Sequence, residues 1–318
     1  MKKIALIIAI VGIISACQKA DDAVYTPEVV TPSTDPISVY FRENFLEPYG
    51  TSVRWQWNDI YVDDTKRVTP ALREVCIPMG DFINAFWIEP FNMTTPGKKF
   101  MLEHFPPEIV FIGSPMYNSD GASITLGYAD AGVRITFTQV NEYDLADTDW
   151  VLMQLRTAEH EYGHIIHQRH NLPSGFKLVS PANYKSNNWL NLAGDVQANS
   201  PRISREAISL GMTTNYGTSS VEEDFCEVLS MYLTSDEDAF NERYINHEPT
   251  EPYPGTDTGG NPITIQPEAD AAAMNTGRDL IKIKLDMVKA YYMAKFNIDL
   301  VQVRDEIMSR INSLTPAK

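Results

Sequence analysis

Four of the six histidines fall within Thr157-Ala158-Glu159-His160-Glu161-Tyr162-Gly163-His164-Ile165-Ile166-His167-Gln168-Arg169-His170. At its centre is His-Glu-x-x-His, a spacing with a definite chemical meaning. On a helix, positions four apart share a face, so His160 and His164 can bind one cation together. Glu161 is rotated by about 100° from His160, which carries its carboxylate past the cation towards a bound water. Catalytic zinc needs two neutral imidazoles, a third protein ligand and an open position. The ion acidifies the water and a neighbouring carboxylate removes its proton. The pattern therefore predicts Zn2+ as cofactor and hydrolysis as the reaction, on condition that a third ligand exists. Taken alone it is equally compatible with a helix that merely presents histidines.

Two places could supply that ligand. His170 follows His164 by six residues, an offset that reaches the metal when a glycine turns the chain sharply back. His167 occupies the position where that glycine would stand. The second place is downstream, in Asn215-Tyr216-Gly217-Thr218-Ser219-Ser220-Val221-Glu222-Glu223-Asp224-Phe225-Cys226-Glu227-Val228-Leu229. Glu223 and Glu227 share a helical face, and Val221, Phe225, Val228 and Leu229 can pack that helix onto the first. One carboxylate can bind the ion while the other anchors an imidazole N–H and fixes its tautomer. The same acids would also suit a helix N-terminus without any metal. His167, seven residues from His160, lies near the ligand face and is expected in packing or behind a ligand.

The elements that position these residues can be read from periodicity. The segment from Pro36 to Tyr49 is amphipathic and predicts a short helix, and Ser52 to Val62 is expected to be extended. A helical stripe runs from about Pro70 to Phe86, with Pro78 and Gly80 expected to kink or break it. Residues 105 to 141 read as sheet, with short runs at Glu108–Gly113, Ile124–Tyr128 and Val133–Val140 divided by turn residues. Asp147 to Asp149 is a plausible cap for the histidine helix. Residues 171 to 200 read as loops, with Tyr184, Trp189 and Leu190 as candidate cleft walls. A helix over about Ser204–Leu210 and a strongly helical stretch over Val221–Leu233 follow. His247 to Pro262 is expected to be a surface loop, and Glu268 to Leu314 two helices broken near Asn297.

The chain is 318 residues long, with a net charge of −16, a 43% apolar fraction and three cysteines. This suits one large globular domain or two modest ones and excludes a disulfide scaffold. Met1-Lys2-Lys3 followed by the apolar run Ile4 to Ile14 reads as an export signal, too short to span a membrane comfortably. Removing it with Lys2 and Lys3 takes the charge from −16 to −18. Such a surface argues against nucleic acid and against electrostatic docking to anionic lipid. Residues 18 to 37, rich in Pro, Thr and Asp, read as a tether.

Resemblances to known families and signals sharpen this reading. His-Glu-Tyr-Gly-His together with Tyr-Gly-x-x-x-x-x-Glu-Asp-Phe-x-Glu resembles the gluzincin clan of metallopeptidases, especially the catalytic domain of anthrax lethal factor and its relatives. The resemblance implies Glu223 as third ligand and Glu227 as the partner of a ligand imidazole. It implies Tyr216 as a hydrogen-bond donor to the oxyanion. Cys226 stands where that family usually has a small residue, and a cysteine is close in size. The implied fold is α+β and zincin-like: a small mixed sheet with an edge strand beside the His-Glu-x-x-His helix, followed by a mainly helical C-terminal part. That edge, where extended peptide would add as a strand, is expected at residues 134 to 140.

Ile14-Ser15-Ala16-Cys17 resembles the bacterial lipobox, which implies cleavage before Cys17, lipidation of its sulfur and anchoring at the outer membrane. Gln18-Lys19-Ala20-Asp21-Asp22 is similar to the tag that sends lipoproteins of Bacteroidetes to the cell surface. As a whole the chain resembles their substrate import-associated zinc metallohydrolase lipoproteins, which implies TonB-dependent receptors and SusD-type proteins as partners and a peptide or protein as substrate. The expected organisation is a leader over 1–16, a lipid-anchored tether over 17–37 and a metallopeptidase domain over 38–318. Within that domain, 38–170 holds the sheet and the active-site helix, and 171–318 the helical lower part. The alternative function is a non-catalytic substrate-binding lipoprotein serving the same import system.

Overall fold

The computed structural model describes residues 32–62, 65–117, 124–125, 129–130, 133–192 and 201–314; the export leader, Cys17 and most of the tether lie outside the described residues. Asp35 caps α1 (Pro36–Phe41) by accepting the Ile37 N–H at 2.9 Å. The helix continues through a π turn, Arg42–Leu46, and a last turn, Glu47–Tyr49. The amphipathic stripe buries Ile37, Phe41 and Phe45. Only β1 (Ser52–Arg54) of the expected extended stretch is strand, and Asp59–Tyr61 is a 3-10 turn.

The expected break at Pro78 and Gly80 does not occur. α2 (Arg73–Ile83) contains Pro78 and runs on through a π turn, Asn84–Ile88, to Glu89–Asn92. Proline removes one backbone hydrogen bond, but Cys76, Met79, Phe82, Ile83, Phe86, Trp87 and Ile88 are all buried along this length. Gly80 serves packing: a β-carbon there would lie 2.6 Å from the Tyr40 ring. α3 (Thr95–His104), capped by Thr94, was not apparent from the pattern of the sequence.

The four-stranded sheet has the order β1-β2-β6-β5, with β2 (Glu108–Phe111), β5 (Ala129–Asp130) and β6 (Arg134–Phe137). β1, β2 and β6 are parallel, and β5 is antiparallel to β6. A separate pair is formed by β3 (Met116–Tyr117) and β4 (Ile124–Thr125). Ile109, Val110, Phe111, Ile135, Thr136 and Phe137 are buried in succession, as expected for parallel strands covered on both faces. Glu108 bridges Arg54 and Arg134 at 2.8 and 2.6 Å, tying three strands in register. Residues 134–140 do not form the expected edge: β6 is flanked by β2 and β5, and the edge strands of this sheet are β1 and β5. Beyond Phe137 the chain leaves the sheet, with Gln139 in the left-handed region at φ 59°. Alternation marks a strand but does not say which neighbours pair with it.

α4 (Thr148–His170) carries the histidines and is capped by Asp147, which accepts from the Asp149 and Trp150 N–H groups. Trp150 donates to the Gln139 carbonyl at 3.1 Å and Gln154 to that of Thr138 at 2.9 Å, clamping the helix to the exit of β6. The helical part then comprises α5 (Arg205–Ser209), α6 (Val221–Leu233), α7 (Glu237–Tyr244), α8 (Ala271–Phe296) and α9 (Leu300–Leu314). Asn297, left-handed at φ 58°, makes the break between α8 and α9. Part of the expected loop over 247–262 is instead a hairpin of β7 (Tyr253–Thr256) and β8 (Pro262–Ile265). The molecule is thus a mixed α/β unit with a small sheet and mostly helical content, and residues from Asp35 onward form one compact unit. Among the described residues no helix is long and apolar enough to cross a membrane.

Candidate metal centre

The site is made by the close approach of α4 and α6. At the contact, a β-carbon on Gly163 would lie 3.0 Å from Cys226 Sγ and 3.3 Å from its Cα. Glycine therefore lets the helices come together at the one residue that separates Tyr162 from His164. Both Cys226 and Cys76 are buried free thiols. Gly163→Val is expected to overpack this contact, costing about 1–3 kcal/mol in chemical denaturation and lowering zinc affinity by pushing Glu223 away from the imidazoles. Unchanged stability and affinity would show that the contact yields.

Across that approach, Glu223 Oε2 lies 3.1 Å from His160 Nε2 and 3.2 Å from His164 Nε2, and the two nitrogens are 3.2 Å apart. Donor atoms at about 2.0–2.1 Å around a tetrahedral zinc stand about 3.3–3.4 Å from one another. The observed triangle is close to one face of that tetrahedron. Two imidazole nitrogens and a carboxylate oxygen are donors that zinc accepts. Glu223 Oε2 is moreover buried and lacks a well-formed hydrogen bond, so the three residues fit the ion.

The electrostatics agree. Burial pushes the Glu223 carboxyl up, but the two imidazoles outweigh it and hold the group well below the usual carboxylate range. Burial likewise pushes His160 down, yet Glu223 and Glu227 together raise it well above the usual imidazole value. The site is thus arranged around positive charge. Glu227 Oε1 lies 2.7 Å from His160 Nδ1, leaving Nε2 directed at Glu223 and His164. Tyr216 stacks on His160 with ring centroids 5.9 Å apart and 30° between planes. Burial first, then the charge of Glu223, keep the Tyr216 phenol protonated far into the alkaline range. Glu161 is 7% exposed, and its charge is felt by both His160 and Tyr216. The Trp189 ring stands 5.0 Å from Tyr216, on a turn held by the Lys185 N–H to Thr218 carbonyl bond at 2.6 Å.

His170 is not part of this cluster. Its Nε2 lies 2.7 Å from Nε2 of His104, at the end of α3, and His104 in turn contacts the Phe100 carbonyl through Nδ1 at 3.0 Å. His167 faces the other nitrogen of His164, Nδ1, at 2.9 Å. A second group missed at the level of sequence is the buried pair Asp224 and Lys284, 2.6 Å apart and both inaccessible to solvent. Tyr184 donates to the same Asp224 oxygen at 2.8 Å, and Lys284 to the Gly211 carbonyl at 2.8 Å. The available signal was Lys284 lying on the apolar stripe of Ile281, Leu285 and Val288.

Glu159, beside the first histidine, is fully buried with neither carboxylate oxygen hydrogen-bonded, and burial pushes it up to about 8. The folded chain keeps that proton up to about pH 8, whereas the unfolded chain loses it near the ordinary value of 4.5. Stability is therefore expected to fall as pH rises through this window, by about 3 kcal/mol between pH 5 and pH 8. Glu159→Gln should remove that component, which urea denaturation of both proteins at the two pH values would measure.

Residues 31–301 match the model of a family described as "Putative zinc-binding metallo-peptidase". The crystal structure of a putative zinc-binding metallo-peptidase from Bacteroides caccae aligns with a TM-score of 0.64 at 23% identity, covering 89% of this chain and 94% of that one, which shows a shared fold. No curated protein matches the chain. Because the family match spans most of the sequence and the donor triangle suits the metal the family is described as binding, the chain belongs to this zinc-binding metallo-peptidase family, with zinc as its cofactor.

Proposed function

We propose that the protein is a cell-envelope zinc peptidase of gluzincin type, in which His160, His164 and Glu223 hold the ion and Glu161 is the general base. The observation that carries this reading is the convergence of the three donor atoms within 3.2 Å, beside Glu161 and a protonated Tyr216. Held by His160, His164 and Glu223, a zinc ion would supply Lewis acidity, polarising a carbonyl and acidifying a water. Glu161 removes the proton of the attacking water and passes it to the leaving amine. Tyr216, kept neutral by its surroundings, donates a hydrogen bond to the oxyanion. Glu227 holds the Nδ1–H of His160, so that Nε2 remains free for the metal.

Substrate is an extended peptide that pairs with the outer edge of β5. Trp189 flanks Tyr216, and the next residue, Leu190, is exposed. The lipobox ending at Cys17 supports attachment to the outer membrane, the tag-like Gln18–Asp22 display at the surface, and the family resemblance a role in TonB-dependent and SusD-type import. Metal analysis of the purified protein should find one zinc per chain, and Glu223→Gln should reduce occupancy to background. Digestion of a proteome-derived peptide library should be abolished by chelator and restored by zinc. Absence of zinc at the expected stoichiometry would overturn the proposal, and full zinc without any cleavage would favour a binding lipoprotein.

A further inference from the structure

We infer that His167 is a positioning residue for the zinc centre: its Nε2 accepts the Nδ1–H of His164 and thereby sets the tautomer and ring orientation with which His164 meets the ion. The inference rests on the assignment of His164 as a zinc ligand. The two nitrogens are 2.9 Å apart, and the rings lie at 68° with centroids 5.2 Å apart. The other nitrogen of His164, Nε2, is the one that faces Glu223 and His160. An imidazole that coordinates through Nε2 carries its proton on Nδ1, so His164 is the donor. The facing nitrogen of His167 must then be bare, and the His167 proton sits on its own Nδ1. The edge-to-face contact with Phe225, at 6.1 Å and 87°, fixes the His167 ring from the α6 side.

The two histidine ligands are thus backed differently. His160 Nδ1 faces a carboxylate, Glu227, at 2.7 Å. His164 is held by a neutral imidazole, which orients the ligand without adding negative charge to a centre that already contains Glu223. Ligand partners of this kind raise metal affinity through orientation and tautomer control.

The test compares zinc affinity, by competition with a chromogenic chelator, in the wild type, His167→Leu, His167→Gln and His164→Ala. His167→Leu should weaken binding by about 10–100-fold, and His167→Gln, whose amide oxygen can accept the bond, should recover most of it. Long-range 1H–15N spectra of the zinc-loaded wild type should place the His164 proton on Nδ1, slow to exchange, and fast-exchanging in His167→Leu. If the leucine variant fails to fold, the wild-type tautomer and the glutamine variant still decide. Wild-type affinity in a folded His167→Leu, or a His164 proton on Nε2, would overturn the inference. So would a second zinc equivalent lost in Cys226→Ser, since His164, His167 and Cys226 also lie within 4.8 Å of one another. Wild-type affinity in His164→Ala would instead overturn the ligand assignment itself.

Discussion

Glu161→Gln is expected to leave zinc occupancy and thermal stability at wild-type levels while lowering kcat/KM by about 10²–10⁴-fold. That loss corresponds to about 3–5 kcal/mol of transition-state stabilisation. The separation of effects follows from geometry. Glu161 contributes no atom to the donor triangle of His160, His164 and Glu223, so its charge is not needed to hold the ion. Glutamine has nearly the same volume and suits the same buried position, 7% exposed, but it cannot take a proton from water. The loss should fall mainly on kcat, because the proton moves only as the water attacks. Steady-state kinetics on a peptide identified from the library digest would measure it. Activity within tenfold of wild type would mean that another group deprotonates the water.

Lys284→Met should be the most damaging single change outside the metal centre. It leaves the Asp224 carboxylate fully buried without its cation, a circumstance that costs about 3–5 kcal/mol. Burial already pushes Asp224 up and Lys284 down, and the second oxygen of Asp224 has no hydrogen bond. The pair is therefore close to the limit of what its geometry can compensate. Lys284→Met with Asp224→Asn should recover much of the loss, because the amide oxygen can still accept from Tyr184 while the buried charge is gone. Denaturant titration of both single variants and the double variant would give the coupling energy directly. Asp224 follows Glu223 on α6, so Lys284→Met is also expected to weaken zinc binding. A destabilised protein with unaltered zinc affinity would show that the pair supports only the fold.

The local elements were legible where local forces suffice. The acids Glu222 to Asp224 suit the first turn of α6, and the apolar stripe carries that helix to Leu233. The spacing of His160 and His164, and that of Glu223 and Glu227, follows from the helical period alone. Asn297 interrupts the C-terminal helices where the pattern weakens. Prediction failed where packing outweighed propensity. Pro78 and Gly80 were expected to kink or break α2, but the buried face of that helix, closed by Tyr40 over Gly80, keeps it unbroken. The alternation through Phe137 marked a strand yet not its neighbours, and β6 is an inner strand between β2 and β5. β7 and β8 arise in a stretch rich in Pro and Gly that reads as loop.

By itself the sequence determined which side chains share a helical face, and with it the chemical types available for a zinc centre, because the α-helical period is a property of the backbone. Only the tertiary structure decided which of those faces meet. It set Glu223 Oε2 beside two imidazoles some sixty residues away, through the approach of Gly163 to Cys226. It paired His170 with His104 rather than with the metal cluster, and it placed His167 behind His164. Each of these contacts joins groups whose mutual distance depends on how whole helices pack or how a ring is turned within the core, and spacing along one chain contains neither quantity.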